Sequence, residues 1–143
     1  MCGDAGAPRF ETMSRQTLEP VRNALQALNE RDVDRYMSHC TRDVRLESPV
    51  AAIEGPYEGP SGIRRLFGDV RDAIPDFRLE IERLDTAGPD RVLALLRGSA
   101  SGRVSGVPLH FALANLYELS EGKISRVRVF VDRDEAKAAA NAR

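Results

Sequence analysis

The segment from Leu109 to Val131 constrains the fold more than any other part of the chain. Its odd positions over 109–119 are apolar except for Asn115, which gives the period of two that is typical of a half-buried strand. A second strand, with valine at alternate positions over 127–131, follows a polar turn at 120–123. Two long strands with one apolar face each predict an antiparallel hairpin that covers a core or lines a cavity.

Asn115 is the exception on this apolar face, and a buried amide needs hydrogen-bond partners from protein, water or a ligand. The alternation predicts that its side chain points into the same space as its odd-numbered neighbours. On another predicted strand, Ser48 has the same parity as Val44 and Leu46 and is expected to enter that space. The predicted pocket is mainly apolar, contains one or two neutral polar groups and lacks a strong acid.

Helical spacing of apolar residues, with a break at 29–32, predicts helices over residues 15–29, 32–40 and 61–74, the last of them capped by Ser61. The second half of the chain alternates strand-like runs with short turns, and a weak helix follows at 134–142. This order predicts an α+β fold. Its curved, largely antiparallel sheet packs against three helices and forms a cone that encloses a pocket. The domain is predicted to cover 14–138, with a flexible tail at 1–13 and a short tail at 139–143.

Composition excludes several classes of function. The formal net charge of the 143 residues is −1, and no basic face with interleaved aromatic residues is visible, which disfavours nucleic-acid binding. No apolar run reaches the ~20 residues that span a bilayer, and the start of the chain lacks a signal pattern, so a cytoplasmic location without membrane association is expected. The two cysteines, Cys2 and Cys40, do not suggest a disulfide framework. No motif for a metal or a cofactor is present, and none is predicted.

Several short motifs resemble the SnoaL-like branch of the nuclear-transport-factor-2-like, or ketosteroid isomerase-like, superfamily. They are Ala27-Leu28-Asn29-Glu30-Arg31-Asp32, Asp43-Val44, Tyr57-Glu58-Gly59 with Gly62-Ile63, Gly122-Lys123-Ile124 and Asp132-Arg133-Asp134-Glu135-Ala136. The resemblance covers roughly residues 15–138 and implies the cone fold. It identifies no activity, because this fold hosts isomerases, cyclases, epoxide hydrolases, dehydratases and non-catalytic modules.

The acids on which these relatives depend are missing. Where ketosteroid isomerases have a basic aspartate before a Pro-Val pair, this chain has Ser48; their oxyanion tyrosine falls near Ala24, and their protonated aspartate near Asn115. Epoxide hydrolases of the limonene type need acids where Val129 and Ser99 stand, and the last strand lacks the late acid of SnoaL-type cyclases. The resemblance therefore predicts a protein that is not an efficient ketosteroid isomerase.

The candidate catalytic residues are His39, Tyr57 and Asn115, with no assigned base. For each, a structural role is an alternative: a satisfied helix-end histidine, a packing tyrosine, or an asparagine bonded to backbone at a bulge. His110 has the opposite parity to Asn115 and is expected on the outer face of the sheet. The predicted ligand pocket consists of Tyr36, Ser48, Tyr57, Phe111, Asn115, Tyr117, Val127 and Val129.

Two functions remain open from the sequence. One is an isomerase- or cyclase-type enzyme for a small apolar, oxygenated molecule, in which Asn115 polarises a carbonyl and His39 or Tyr57 exchanges protons. The other is a non-catalytic module that binds a ligand or a protein. In both cases a homodimer is predicted through the outer face of the sheet, which is expected to be uncovered and to carry the following residues: His110, Leu116, Arg126, Arg128 and Phe130.

Overall fold

The computed structural model describes residues 7–48, 55–101 and 108–142. Its helices are α1 (Ala7–Asn29), α2 (Val33–Ser38), α3 (Gly59–Ala73) and α4 (Arg133–Asn141). Its strands are β1 (Cys40–Glu47), β2 (Tyr57–Glu58), β3 (Arg78–Thr86), β4 (Arg91–Ser101), β5 (Pro108–Ser120) and β6 (Lys123–Phe130). The predicted α+β class is confirmed. Predictions for Pro49, Val50 and Cys2 lie outside the described residues.

The six strands form one open sheet in the order β2-β1-β6-β5-β4-β3. All neighbours are antiparallel except β1 and β6, which run parallel with Leu46 opposite Val127. The hairpin between β5 and β6 turns through Glu121 (φ 52°) and Gly122 (φ 80°). Two consecutive positive φ values give a turn whose twist matches that of paired strands, which is why the glycine is needed there. The sheet is therefore largely antiparallel, as predicted.

Helices α1, α2 and α3 cover one face of the sheet, which we call the inner face. The break after α1 is built from two residues of the first motif. The Asn29 side chain accepts from the Leu79 backbone N–H and donates to the Leu79 carbonyl, each at 2.8 Å. Arg31, at φ 60°, donates to the carbonyls of Leu28, Pro75 and Phe77. Asn29 thus attaches the helix end to the edge strand β3, and Arg31 attaches it to the segment just before that strand, so both side chains have a structural role.

Two helix boundaries differ from the sequence prediction. Helix α1 begins at Ala7, within the segment predicted as a tail. Helix α3 begins at Gly59 with Pro60 in its first turn, so the predicted cap Ser61 lies inside the helix, and the preceding loop contains the short strand β2. Proline is favoured at the first helical positions because its missing N–H would have no partner there. Among the helices of the described residues, none has the length and apolar composition needed to cross a bilayer.

The opposite face of the sheet, the outer face, is partly covered by α4, the weak helix predicted at 134–142, which corrects the prediction that this face is uncovered. Leu116 has 0% exposure and packs with Leu93 and Ala114 of the sheet against Ala136 and Ala140 of the helix. The parity assigned to Leu116 is right, but the residue is not available on a free surface. Small alanines on α4 let the helix lie close to the sheet.

Arginine side chains hold α4 at both ends. At its C-terminus, Arg91 of β4 donates to the carbonyls of Ala139, Ala140 and Ala142 at 2.8–3.1 Å. At its N-terminus, Arg133 donates to Glu82 and to the Leu96 carbonyl, each at 2.8 Å. The last carbonyls of a helix lack partners within the helix, so a guanidinium group there satisfies several acceptors together. The helix is thus attached to β3 and β4 by polar contacts as well as by its alanines.

Candidate functional site: an apolar cavity with one buried amide

A cavity of about 700 Å³ lies between the inner face of the sheet and the helices. Most of its wall is apolar. Polar groups on the lining lie in two regions, one around Asn115, to which Tyr36 of α2 also contributes, and one along the second half of α3. The lining residues are Leu25, Leu28, Tyr36, Leu46, Ser48, Tyr57, Leu66, Asp69, Val70, Asp72, Ala73, Ile74, Phe77, Leu79, Leu113, Asn115, Tyr117, Val129 and Val131.

Six residues of the predicted pocket lie in this lining: Tyr36, Ser48, Tyr57, Asn115, Tyr117 and Val129. The other two, Phe111 and Val127, do not. Phe111 stacks on Phe77, with ring centroids 6.0 Å apart, and its ring lies directly against Gly98 of β4. Val127 is 1% exposed and packs in the core. Strand parity therefore identifies the face correctly, but it does not tell which residues on that face reach the open volume.

Asn115 lies in the middle of the sheet, opposite Ala94 of β4 and Val129 of β6. Only 7% of its surface is exposed. Its Nδ2 donates to the Tyr117 hydroxyl at 3.0 Å, while Oδ1 is buried without a hydrogen-bond partner among the described residues. Leaving a buried acceptor unpaired costs about 1–3 kcal/mol. The wall of the site therefore contains a buried acceptor that lacks a hydrogen-bond partner among the described residues.

Two hydroxyls of the cavity wall belong to the buried tyrosines Tyr36 and Tyr117. Burial raises the pKa of Tyr36 well above its usual value, with Tyr117 and Cys40 nearby acting in the same direction. Burial also raises the pKa of Tyr117, against the hydrogen bond from Asn115. Both phenols are therefore neutral at physiological pH. Burial raises the pKa of the free Cys40 thiol to about 12, so this cysteine is not a nucleophile.

At the other polar region, the Tyr57 hydroxyl donates to Asp69 Oδ2 at 2.7 Å. Tyr57 is 6% exposed and is the first residue of the short strand β2, whereas Asp69 is exposed on α3. The Arg65 guanidinium lies over the Tyr57 ring, 4.7 Å from its centroid. A charge-assisted hydrogen bond of this length fixes both partners. The pair thus places a phenol and a carboxylate in the cavity wall.

The two carboxylates, Asp69 and Asp72, correct the prediction of a pocket without a strong acid. The signal for Asp69 is present in the sequence. Leu66, Asp69, Val70 and Ala73 are spaced by three or four residues, so they share one face of α3. The absence of acids from the strands does not exclude them from the helices that close the cavity.

The candidate His39 is not part of the cavity. It is the residue that ends α2, and its backbone N–H donates to the helix. Partial burial lowers its pKa, with the neighbouring charges of Arg35 and Lys123 acting in the same direction. His110 is exposed on the outer face, as its parity predicts. Neither histidine among the described residues therefore reaches the site.

Comparisons with known proteins agree with this architecture. A family model described as the SnoaL-like domain matches residues 21–127. No significant match was found among functionally curated proteins. Many solved structures are similar, and all three described next are less than 25% identical to this chain, so they show the fold alone.

TerC, co-crystallised with polyporic acid, superposes with a TM-score of 0.74 at 17% identity over 89% of this chain and 99% of its own. SalBIII, an epoxide hydrolase/cyclase-like enzyme with a role in pyran ring formation in the polyether salinomycin, gives 0.69 at 22% over 82% and 91%. Rv0760c from Mycobacterium tuberculosis, in complex with estradiol-17β-hemisuccinate, gives 0.69 at 15% over 83% and 95%.

Proposed function

The chain belongs to the SnoaL-like domain family, and from that premise we propose that it binds a small, mainly apolar molecule in the cavity beneath the sheet. The ligand carries a hydroxyl, or a carbonyl in equilibrium with an enol, at the Asn115 end. The observation that supports this is the unpaired Oδ1 of a residue with 7% exposure, in the wall of a cavity of about 700 Å³. A volume of this size is typical of small-molecule sites.

The adjacent Tyr117 makes a hydroxyl the best ligand group. Because the Tyr117 oxygen accepts from Asn115, its own proton is available for donation. Asn115 Oδ1 and the Tyr117 O–H therefore present one acceptor and one donor side by side. A ligand hydroxyl satisfies both, whereas a carbonyl uses only the tyrosine. This changes the role given to Asn115 in the sequence analysis, where it polarises a carbonyl.

Isomerase- or cyclase-type catalysis is the second candidate, and Tyr57 is the residue that favours it. Its phenolic proton lies in the cavity wall, held by a carboxylate at 2.7 Å, so the site contains a group able to exchange a proton with a bound molecule. His39, the other proposed proton carrier, lies elsewhere. The structural relatives with bound polyporic acid and estradiol-17β-hemisuccinate, and the cyclase-like SalBIII, support a cyclic oxygenated ligand in either case.

We also propose a homodimer in the cytoplasm. With Leu116 covered by α4, the outer face retains half-buried Phe130, Arg126 and Arg128, together with exposed His110, as the surface for a partner copy. Light scattering should return twice the mass of the 15.8-kDa chain at high micromolar concentration. A monomeric mass there would refute the dimer.

The binding proposal is tested with 2-naphthol and 2-methoxynaphthalene, which share a ring system but differ in the hydrogen-bond donor. We expect 2-naphthol to bind about ten-fold more tightly, because only it pairs with Asn115 Oδ1. Amide NMR shifts should localise both probes to the cavity. Asn115→Leu should remove the preference for 2-naphthol, and the matched variant His110→Leu, on the outer face, should retain it. Shifts confined to the outer face, or no binding of either probe, would contradict the proposal.

A further inference from the structure

The charges on the cavity wall all have one sign. Of the described residues that line it, Asp69 and Asp72 carry a charge, and none is a lysine, arginine or histidine. We propose that the cavity selects its ligand by charge: it accepts a molecule with an ammonium group at Asp69 and a hydroxyl at Asn115, and it rejects anions. This inference rests on the binding function proposed above and specifies the class of ligand.

Asp69 is suited to receive a cation. One of its oxygens, Oδ2, accepts from Tyr57 at 2.7 Å, and this bond orients the carboxylate while leaving Oδ1 for a ligand. No ion pair involves Asp69 within the described parts of the chain, although twelve others are present there. A positioned carboxylate without a cationic partner is an available counter-ion for an ammonium group.

Among the described residues, neither Arg65 nor Arg71 forms an ion pair with Asp69. Arg65 stacks on the Tyr57 ring at 4.7 Å from its centroid and does not line the cavity. Arg71 lies within 3.4 Å of Asp72, which makes the second carboxylate the weaker attractor of the two. Asp69 is therefore the group that determines the charge preference, and Asp72 adds to the repulsion of anions.

Asn115 provides the second, independent observation. More than nine-tenths of this residue is buried, it lines the same cavity, and its Oδ1 has no partner among the described residues. Asn115 Oδ1 and Asp69 Oδ1, on two residues of the cavity lining, are both hydrogen-bond acceptors. A complementary ligand must supply donors at both ends of an apolar body, and an amine with a hydroxyl or phenol group does so.

Three probes with the same phenol and the same butyl spacer test this inference: 4-(4-aminobutyl)phenol, 4-(4-hydroxybutyl)phenol and 5-(4-hydroxyphenyl)pentanoate. They are cationic, neutral and anionic at pH 7, and they carry the end group on the same flexible chain. We expect the amine to bind about five-fold more tightly than the alcohol, the range of a solvent-accessible ion pair, and the carboxylate to bind most weakly. Added salt should reduce the preference, because exposed charges are screened.

Asp69→Asn should remove the difference between amine and alcohol, since the amide keeps an acceptor for Tyr57 and loses the charge. Asp34→Asn is the matched control, because it changes the net charge equally at a residue of α2 outside the cavity lining. It should retain the full preference. Circular dichroism and the melting temperature establish that both variants fold.

The outcomes separate this inference from the function on which it rests. If the alcohol binds in the cavity and the amine binds no more tightly, the charge selection is wrong and the binding function stands. If Asp69→Asn keeps the preference of the wild type, the assignment to Asp69 is wrong. If none of the three probes binds the wild-type protein, both the binding function and the selection are refuted.

Discussion

The two faces of the central sheet are built from the same strands and satisfy their polar atoms in different ways. On the outer face, arginine and glutamate side chains pair with one another, as in the Arg126–Glu47 contact at 2.7 and 3.2 Å, and α4 fills the remaining apolar strip. Arg128 Nε is the exception on this face, buried without a partner among the described residues. On the inner face, an open volume remains beside an unpaired Asn115 oxygen. The packed outer face stabilises the fold, whereas the inner face leaves room in which a bound ligand can make favourable contacts.

The largest effect should distinguish two leucines of β5. Leu116→Ala is expected to lower the free energy of unfolding by about 3 kcal/mol, because it opens a void between the sheet and α4 where the residue has 0% exposure. Leu113→Ala, on the inner face, should cost about half as much, since that side chain already borders the cavity. Urea unfolding of both variants gives the comparison. Equal losses would mean that the cavity wall is as tightly packed as the strip beneath α4.

A second change tests the packed part of the inner face. In Gly98→Ala, the new methyl group would overlap the Phe111 ring, which is itself stacked on Phe77 at 6.0 Å. We expect a loss of about 1–3 kcal/mol, the usual cost of overpacking a core. Phe111→Leu in the same chain should recover part of that loss, because it removes the overlap. A melting temperature that stays unchanged in the single variant would show that Phe111 is free to move.

Asn115→Leu should change stability by less than about 1 kcal/mol and should abolish the preference for a phenol. The variant loses the bond to Tyr117 and also removes an unpaired buried acceptor, and these two effects oppose each other. Thermal unfolding and titration with 2-naphthol measure the two consequences separately. A large loss of stability with unchanged probe affinity would instead give Asn115 a structural role, like that of the paired polar side chains on the outer face.

The sequence predicts the faces of the sheet better than it predicts what covers them. Alternation along β5 assigns Asn115 to the inner face and Leu116 to the outer face, because side-chain direction follows directly from strand geometry. It does not reveal that the alanines of α4 cover Leu116, since a short alanine-rich helix has little apolar periodicity. Nor does it predict the parallel pairing of β1 with β6, which joins segments distant in sequence.

The candidate site shows the same limit. Tyr36, Ser48 and Tyr57 come from separate parts of the chain and lie in the cavity lining, while His39 lies outside it. Asp69 is missed because the search for acids follows the strands on which related enzymes carry them. The helical spacing from Leu66 to Ala73 contains this information, but it becomes useful only when the face of α3 that meets the cavity is known.

The smallest expected effect concerns the pH dependence of the outer face. The hydrogen bond from Arg126 lowers the pKa of Glu47, and the charges of Arg126, Arg45 and Arg128 act in the same direction, against the effect of burial. A carboxyl with a lower pKa in the folded state contributes stability above its unfolded pKa of about 4.3 and loses it as the pH falls through the folded value. Because the pair is partly exposed, that contribution should be no more than about 1 kcal/mol.

Glu47→Gln should therefore make the free energy of unfolding less dependent on pH below about 4.5 than it is in the wild type. Glu80→Gln is the matched control, as an exposed carboxylate on the edge strand β3. Urea unfolding at pH 7, 5, 4 and 3 provides the curves. If both variants follow the wild type, the arginine–glutamate contacts add nothing measurable, and the stability of the outer face comes from the apolar strip beneath α4 alone. If only Glu47→Gln makes the free energy of unfolding less dependent on pH, the charged side chains of the outer face contribute to stability as well. The outer face then differs from the inner face, with its unpaired Asn115 oxygen, in electrostatics as well as in packing.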